Sequence, residues 1–183
     1  MTKLRVLVPI VLILASAAVA EKHRRDPLTP LEVDKLRDSA LMPDARLKLY
    51  VEFARARLDK LQQVHADTSA KDREEQTRDA LQDFTDVYDE LNDNVDTFAD
   101  RGDDLRKALK PVIEADTEFG SKLRAFKSAL SQQEARDDEF LLGSAIEAVD
   151  NGAKDHRDLL AEQEETFKHK KKQQHSAKNA SGE

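Results

Sequence analysis

Between residues 43 and 169, apolar side chains recur at alternating steps of four and three. In 43–67 they are Leu47, Val51, Ala54, Leu58 and Leu61, and in 72–101 they are Leu81, Phe84, Tyr88, Leu91, Val95 and Phe98. In 104–131 they are Leu105, Leu109, Val112, Phe119, Leu123, Phe126 and Leu130, and in 138–169 they are Leu142, Ile146, Val149, Ala153, Leu160 and Phe167. Such steps keep every side chain of a set on one side of an α-helix, whereas a half-buried strand needs alternation in twos. Amphipathic helices of this length bury their stripes only against one another. The expected fold is therefore all-α: an antiparallel four-helix bundle of long amphipathic helices, packed in coiled-coil fashion, with a short N-terminal helix.

The start and stop signals agree. Leu28-Thr29-Pro30-Leu31-Glu32-Val33 combines an N-cap threonine, a proline at the first helical position and a glutamate that closes a capping box, with Leu28 and Val33 placed to form a hydrophobic staple. This opening, Leu28-Thr29-Pro30 with Glu32, resembles helix openings in small periplasmic chaperones of the Spy type. Those chaperones are cationic and this chain is acidic, so the resemblance implies a periplasmic life rather than membership. Pro43 starts the next helix, and Asp67-Thr68-Ser69-Ala70-Lys71-Asp72 is a polar loop. Gly102 followed by Asp103 fits a helix end and a new N-cap, better than it fits an adhesion tripeptide with Arg101. The apolar phase runs through Gly102 without a slip, which leaves one continuous helix over 72–131 as the alternative to a hairpin there. Pro111 falls inside the third helix, where it removes a backbone donor and is expected to kink it. Ser131-Gln132-Gln133-Glu134 is a second capping-box sequence.

Residues 1–20 do not belong to this pattern. Lys3 and Arg5 precede an apolar run from Val6 to Leu14, and Ala18-Val19-Ala20 is followed at once by polar sequence. This is the layout of a cleaved signal peptide, and its run is shorter than the ~20 residues that span a bilayer. The expected organisation is a signal peptide over 1–20, an N-terminal arm with a capped helix over 21–42, the helical bundle over 43–169 and a disordered basic tail over 170–183. The chain would then be periplasmic or extracellular, with no transmembrane segment after cleavage.

The chain has 183 residues, no Cys, 5 Gly and 5 Pro. Without cysteine there is no disulfide scaffold, thiolate zinc site or iron–sulfur cluster. The positions three before His65, His156 and His169 are Gln62, Ala153 and Thr166, so the Glu-x-x-His pairs of a di-iron bundle are missing. No calcium loop, phosphate loop or nucleophile elbow occurs, and Met42 alone survives signal removal as a methionine ligand. The expectation is a non-enzymatic interaction or envelope-support module that needs no cofactor, its partner a protein or an anionic envelope surface. Nothing in it reads a nucleic-acid sequence.

Two charge features qualify that expectation. Asp79, Asp83, Asp86, Glu90, Asp93 and Asp100 fall on one helical face opposite Leu81, Phe84 and Tyr88, with no base between Asp79 and Asp100. This face is either a solvated surface or an acidic docking strip for a basic partner, and the alternative function is a periplasmic protein that binds a cation or a small ligand on the acidic face of residues 79–100. Lys168, Lys170, Lys171 and Lys172 are the reverse case, candidates for contact with an anionic surface. Finally, Asp116 and His156 occupy core phase in the last two stripes. If these helices turn back on each other near Arg136, pairing Phe126 with Ile146, Leu123 with Val149 and Phe119 with Ala153 brings Asp116 level with His156. A hydrogen-bonded pair would relieve the burial cost of both, as a register device rather than a catalytic dyad.

Removal of residues 1–20, which carry Lys3 and Arg5, moves the net charge from -7 to -9. Intact-mass measurement of the exported protein is expected to fit a chain that begins at Glu21. A chain retaining the first twenty residues would overturn the signal-peptide reading.

Overall fold

The computed structural model describes residues 26–180, with side chains to residue 169. The expected signal peptide over 1–20 lies outside the described residues. All described regular structure is helical: α1 Pro30–Asp38, α2 Pro43–Ala66, α3 Arg73–Asp100, α4 Arg106–Ala129, α5 Gln132–Asp137 and α6 Glu139–Ala180. No described helix is long and apolar enough to cross a membrane.

The apolar stripes form the core. Leu47, Leu58, Leu61, Leu81, Phe84, Tyr88, Leu91, Leu105, Leu109, Val112, Phe119 and Leu123 are all buried. Leu130, Ile146, Leu160 and Phe167 are only half-buried, at or near helix ends or on the margin of α6. Tyr50, Phe53, Ala80 and Val87 lie beside the stripes and are buried as well, so the apolar face is wider than a strict 4-3 seam.

Each long helix packs against two others, α2 on α3 and α4, and α6 on α3 and α4. Asp44 pairs with Lys107, Arg55 with Glu118 and Asp59 with Lys122, contacts that advance together along both chains, so α2 and α4 run parallel. Arg124 meets Asp150, whereas the Leu105 N–H donates to Gln163, so α4 and α6 run antiparallel. Arg55 donates to both Glu118 oxygens, and Lys122 bridges Glu118 to Asp59. The Arg55 hydrogen bonds hold the Glu118 carboxyl below its ordinary pKa despite partial burial.

The chain breaks at Gly102, and there is no continuous helix over 72–131. Gly102 adopts φ +77°, the Gly102 N–H donates to Ala99 O at 2.8 Å, and the Asp103 N–H to Phe98 O at 3.1 Å. These two bonds are the Schellman pattern of a glycine-terminated helix. Two expectations fail at this turn. Asp103 is not the cap of α4: its N–H closes α3, and Asp104 Oδ1 instead accepts from Arg106 N at 3.2 Å. Nor do α3 and α4 form a packed hairpin. They face each other across the core through the rings of Phe84, Tyr88 and Phe119. A five-residue link reaches about 17 Å, enough for the diagonal of about 14 Å between opposite helices when neighbours sit ~10 Å apart.

Both capping boxes form, and each capping glutamate also ties its turn to another helix. Glu32 closes the box with Thr29 and accepts from Arg57 of α2 at 2.6 Å. Burial works to raise the Glu32 carboxyl, and the hydrogen bonds from Arg57 and Thr29 together outweigh it, leaving the group below its ordinary value. Glu134 closes the box with Ser131 and accepts from Arg73, the first residue of α3, at 2.9 Å. Pro111 sits on the exposed side of α4, where water can serve the carbonyl it leaves unpaired.

The backbone of α6 is helical to Ala180, and Arg106 lies over the Phe167 ring at 3.9 Å. Lys, Gln and Ala are good helix formers, and a helix already nucleated needs little else to extend.

At Gly102 no atom lies within 4 Å of the point a Cβ would occupy, so a side chain there meets conformational strain alone. Gly102→Ala is expected to cost about 1–2 kcal/mol in denaturant unfolding, with a fall of a few degrees in Tm. A variant as stable as the parent would mean that the turn does not require the left-handed conformation.

Candidate functional site

The acidic face of α3 is not a uniform solvated row. Glu90, Asp93 and Asp100 are exposed and Asp79 is half-buried, but Asp83 and Asp86 are buried. Gln82 donates to Asp86 at 2.9 Å, and Asp79, Asp83, Asp86 and Asp89 are all engaged. The helical-wheel reading assumed one buried stripe with water opposite. Between Thr77 and Tyr88, however, Ala80 and Val87 are as buried as Leu81 and Phe84, so burial reaches round most of the helix. The six acids therefore do not act together as an exposed strip. Of the basic candidates, Lys168 pairs with Glu165 at 2.7 Å, which raises its pKa. The side chains of Lys170, Lys171 and Lys172 lie outside the described residues.

Asp116 and His156 are brought together. His156 Nδ1 lies 2.9 Å from Asp116 Oδ2, with the two side chains 3% and 0% exposed. A third group joins them: the Tyr88 hydroxyl donates to Asp116 Oδ1 at 2.8 Å. With one oxygen accepting from Tyr88 and the other facing the ring, the carboxylate calls for a proton on Nδ1. Burial, reinforced by the Asp116 charge, pushes the Tyr88 phenol far above its ordinary pKa, so it stays a donor. One residue each from α3, α4 and α6 thus meets in a single buried polar node.

Gly152 gives this node its room. A Cβ there would lie 2.4 Å from the Tyr88 hydroxyl and 3.1 Å from Asn92 Oδ1. The bare backbone of α6 lets the phenol pass beneath it to reach Asp116. An isolated glycine inside a helical pattern signals a close approach of this kind.

Above the node, α3 and α6 leave a groove of about 270 Å³. Val95, Ala99, Ala148 and Leu159 give it an apolar lining, and Asp89, Asp96 and Asp155 supply carboxylates. His156 lines it too. Asp116 holds its Nδ1, and its Nε2 has no hydrogen-bond partner among the described residues. The Asn92 amide is also in the lining, and its buried Oδ1 accepts no hydrogen bond. No Ser, Thr, Lys or Arg lines the groove, so its polar lining is carboxylates, the Asn92 and Asn151 amides and His156, with no hydroxyl nucleophile. Among the described residues no group of three His, Asp or Glu is placed to hold a metal ion.

The sequence pattern assigned Tyr88 to the core and gave no sign of its hydroxyl partner. It passed over Asn92, Asp155 and Gly152 entirely. Gly152 alone carried a usable signal.

Asp116→Ala would strand both the Tyr88 hydroxyl and the His156 ring without their shared acceptor. It is expected to cost about 3–5 kcal/mol in denaturant unfolding, while Asp93→Ala and Asp100→Ala barely move the midpoint. Equal effects at the three positions would show that the node carries no special stability. No protein-family model matches the chain, and no curated protein or solved structure matches it, so the functional reading rests on this geometry.

Proposed function

We propose that the chain is an exported, non-enzymatic binding protein of the periplasm or cell exterior. In this reading α2, α3, α4 and α6 form a four-helix bundle whose α2–α4 neighbours are parallel, and the α3–α6 groove is the site where it engages its ligand or partner. The observation that carries the proposal is the α3–α6 groove itself, whose lining joins carboxylates, apolar side chains and the His156 ring that Asp116 holds in place. Pockets that bind small molecules combine mainly apolar walls with a few convergent polar groups, and this groove lies at the small end of their size range.

Binding is favoured over catalysis by the composition of the groove. A histidine backed by a carboxylate is half of a nucleophile-activating arrangement, but no Ser, Thr or Lys stands beside it to be activated. A register-setting role for the Asp116–His156 pair is compatible with this use, since the pair lies beneath the groove and fixes the helices that line it. The acidic face as a whole is a weaker docking candidate, because Asp83 and Asp86 are buried within it.

The test is amide chemical-shift mapping of the isotope-labelled mature protein, titrated with the low-molecular-mass fraction of its native cell-envelope extract. Shifts are expected to cluster on Asn92, Asp96, Asn151, Gly152 and Asp155. An absence of shifts, or shifts confined to other surfaces, would overturn the groove as the binding site.

A further inference from the structure

Helix α6 outruns the helices it packs on. Gln163 meets the α3–α4 turn, accepting from the Leu105 N–H and donating to Asp103 O, and Arg106 lies over the Phe167 ring. The helix then continues to Ala180, so residues 168–180 extend about 20 Å past the level of that turn. The charge changes sign at the same point. Asp155, Asp158, Glu162, Glu164 and Glu165 precede it, with Arg157 the only Lys or Arg among them. Lys168, Lys170, Lys171, Lys172 and Lys178 follow it, with no acid before Glu183.

The helical backbone also gives the basic positions a side. At about 100° per residue, Lys168, Lys171, Lys172, His175 and Lys178 fall within an arc of about 120°, and Lys170 lies outside it. Asp155, Asp158 and Glu162 are centred about 130° round the helix from that stripe. Lys168 is already paired with Glu165, so the charge of the stripe rests on Lys171, Lys172 and Lys178. These positions lie about 9–20 Å along the axis beyond Glu165, farther than the ~8 Å screening length at physiological salt. An anionic surface that meets the stripe therefore feels its lysines with little repulsion from the acidic bundle.

A one-sided stripe fits a flat partner. A flexible polyanion wraps a helix and draws on lysines from every side, whereas a bilayer meets only the face turned towards it. Residues 168–180 carry no aromatic or large aliphatic side chain to stack on a base or wedge into lipid, so the attraction is electrostatic. Independently of the groove, we propose that the stripe on the α6 extension docks the protein on a bilayer surface rich in anionic phospholipid.

The test is co-sedimentation of the mature protein with vesicles of phosphatidylglycerol and phosphatidylcholine in equal parts, against vesicles of phosphatidylcholine alone. The protein is expected to sediment with the mixed vesicles only, and to be released at about 1 M salt, where the screening length falls to ~3 Å. Lys171→Gln and Lys172→Gln are each expected to weaken binding about fivefold, with Tm unchanged because both lie beyond the bundle. Lys170→Gln, off the stripe, should weaken it less than about twofold. No sedimentation with the mixed vesicles, or equal sedimentation with the neutral ones, would overturn the proposal. So would equal losses at all three lysines, or tighter binding to a single-stranded oligonucleotide than to the mixed vesicles, since either outcome means a polyanion that wraps the helix.

Discussion

Asp116 accepts hydrogen bonds inside the buried core, and three helices are organised around that acceptor. A carboxylate taken out of water is tolerated only when its oxygens are occupied, here by the Tyr88 hydroxyl and the His156 ring. The requirement sets geometry as well as energy. To reach Asp116 the phenol must cross under α6, which demands Gly152, and the His156 ring must approach from α6. The close packing of α3 and α6 at this point follows from satisfying one buried carboxylate.

Around this node the apolar core between the helices is edged by ionic contacts. Glu32 and Glu134 each close a capping box and each accept from an arginine on another helix, Arg57 and Arg73 respectively. A local signal for starting a helix is thereby coupled to the placement of that helix against its neighbour. The Arg55–Glu118–Lys122–Asp59 array does the same along the parallel α2–α4 contact. These pairs are partly exposed and contribute modest stability each. Their larger effect is on register, because a shift of one heptad preserves every apolar contact type but breaks each of them.

Much of this fold was legible in the sequence because an amphipathic stripe and a capping box are local. The boundaries at Pro30, Pro43 and Gly102 and the two capping boxes follow from residues within a turn or two of one another. So does the choice of buried face for each long helix, including the core phase of Asp116 and His156. Where the local reading misled, the cause was a neighbour it could not see. Asp83 and Asp86 are buried because α3 is covered beyond its stripe, and Asp103 closes the preceding helix instead of opening the next.

By itself the sequence determined that the described chain is helical, where most helices begin and end, and which phase of each is apolar. It did so because backbone hydrogen bonding and the 3.6-residue turn are settled by neighbours along the chain. Only the tertiary structure decided that α3 lies beside α2 and α6 while α4 sits diagonally opposite it, that Tyr88 completes the Asp116–His156 node, and that a groove opens between α3 and α6. A stripe records that a face must be buried and not against which helix, since any apolar face in matching phase removes comparable area from water. That choice fell to long-range particulars: the reach of a five-residue link, the bare backbone at Gly152, and one carboxylate that needed two donors.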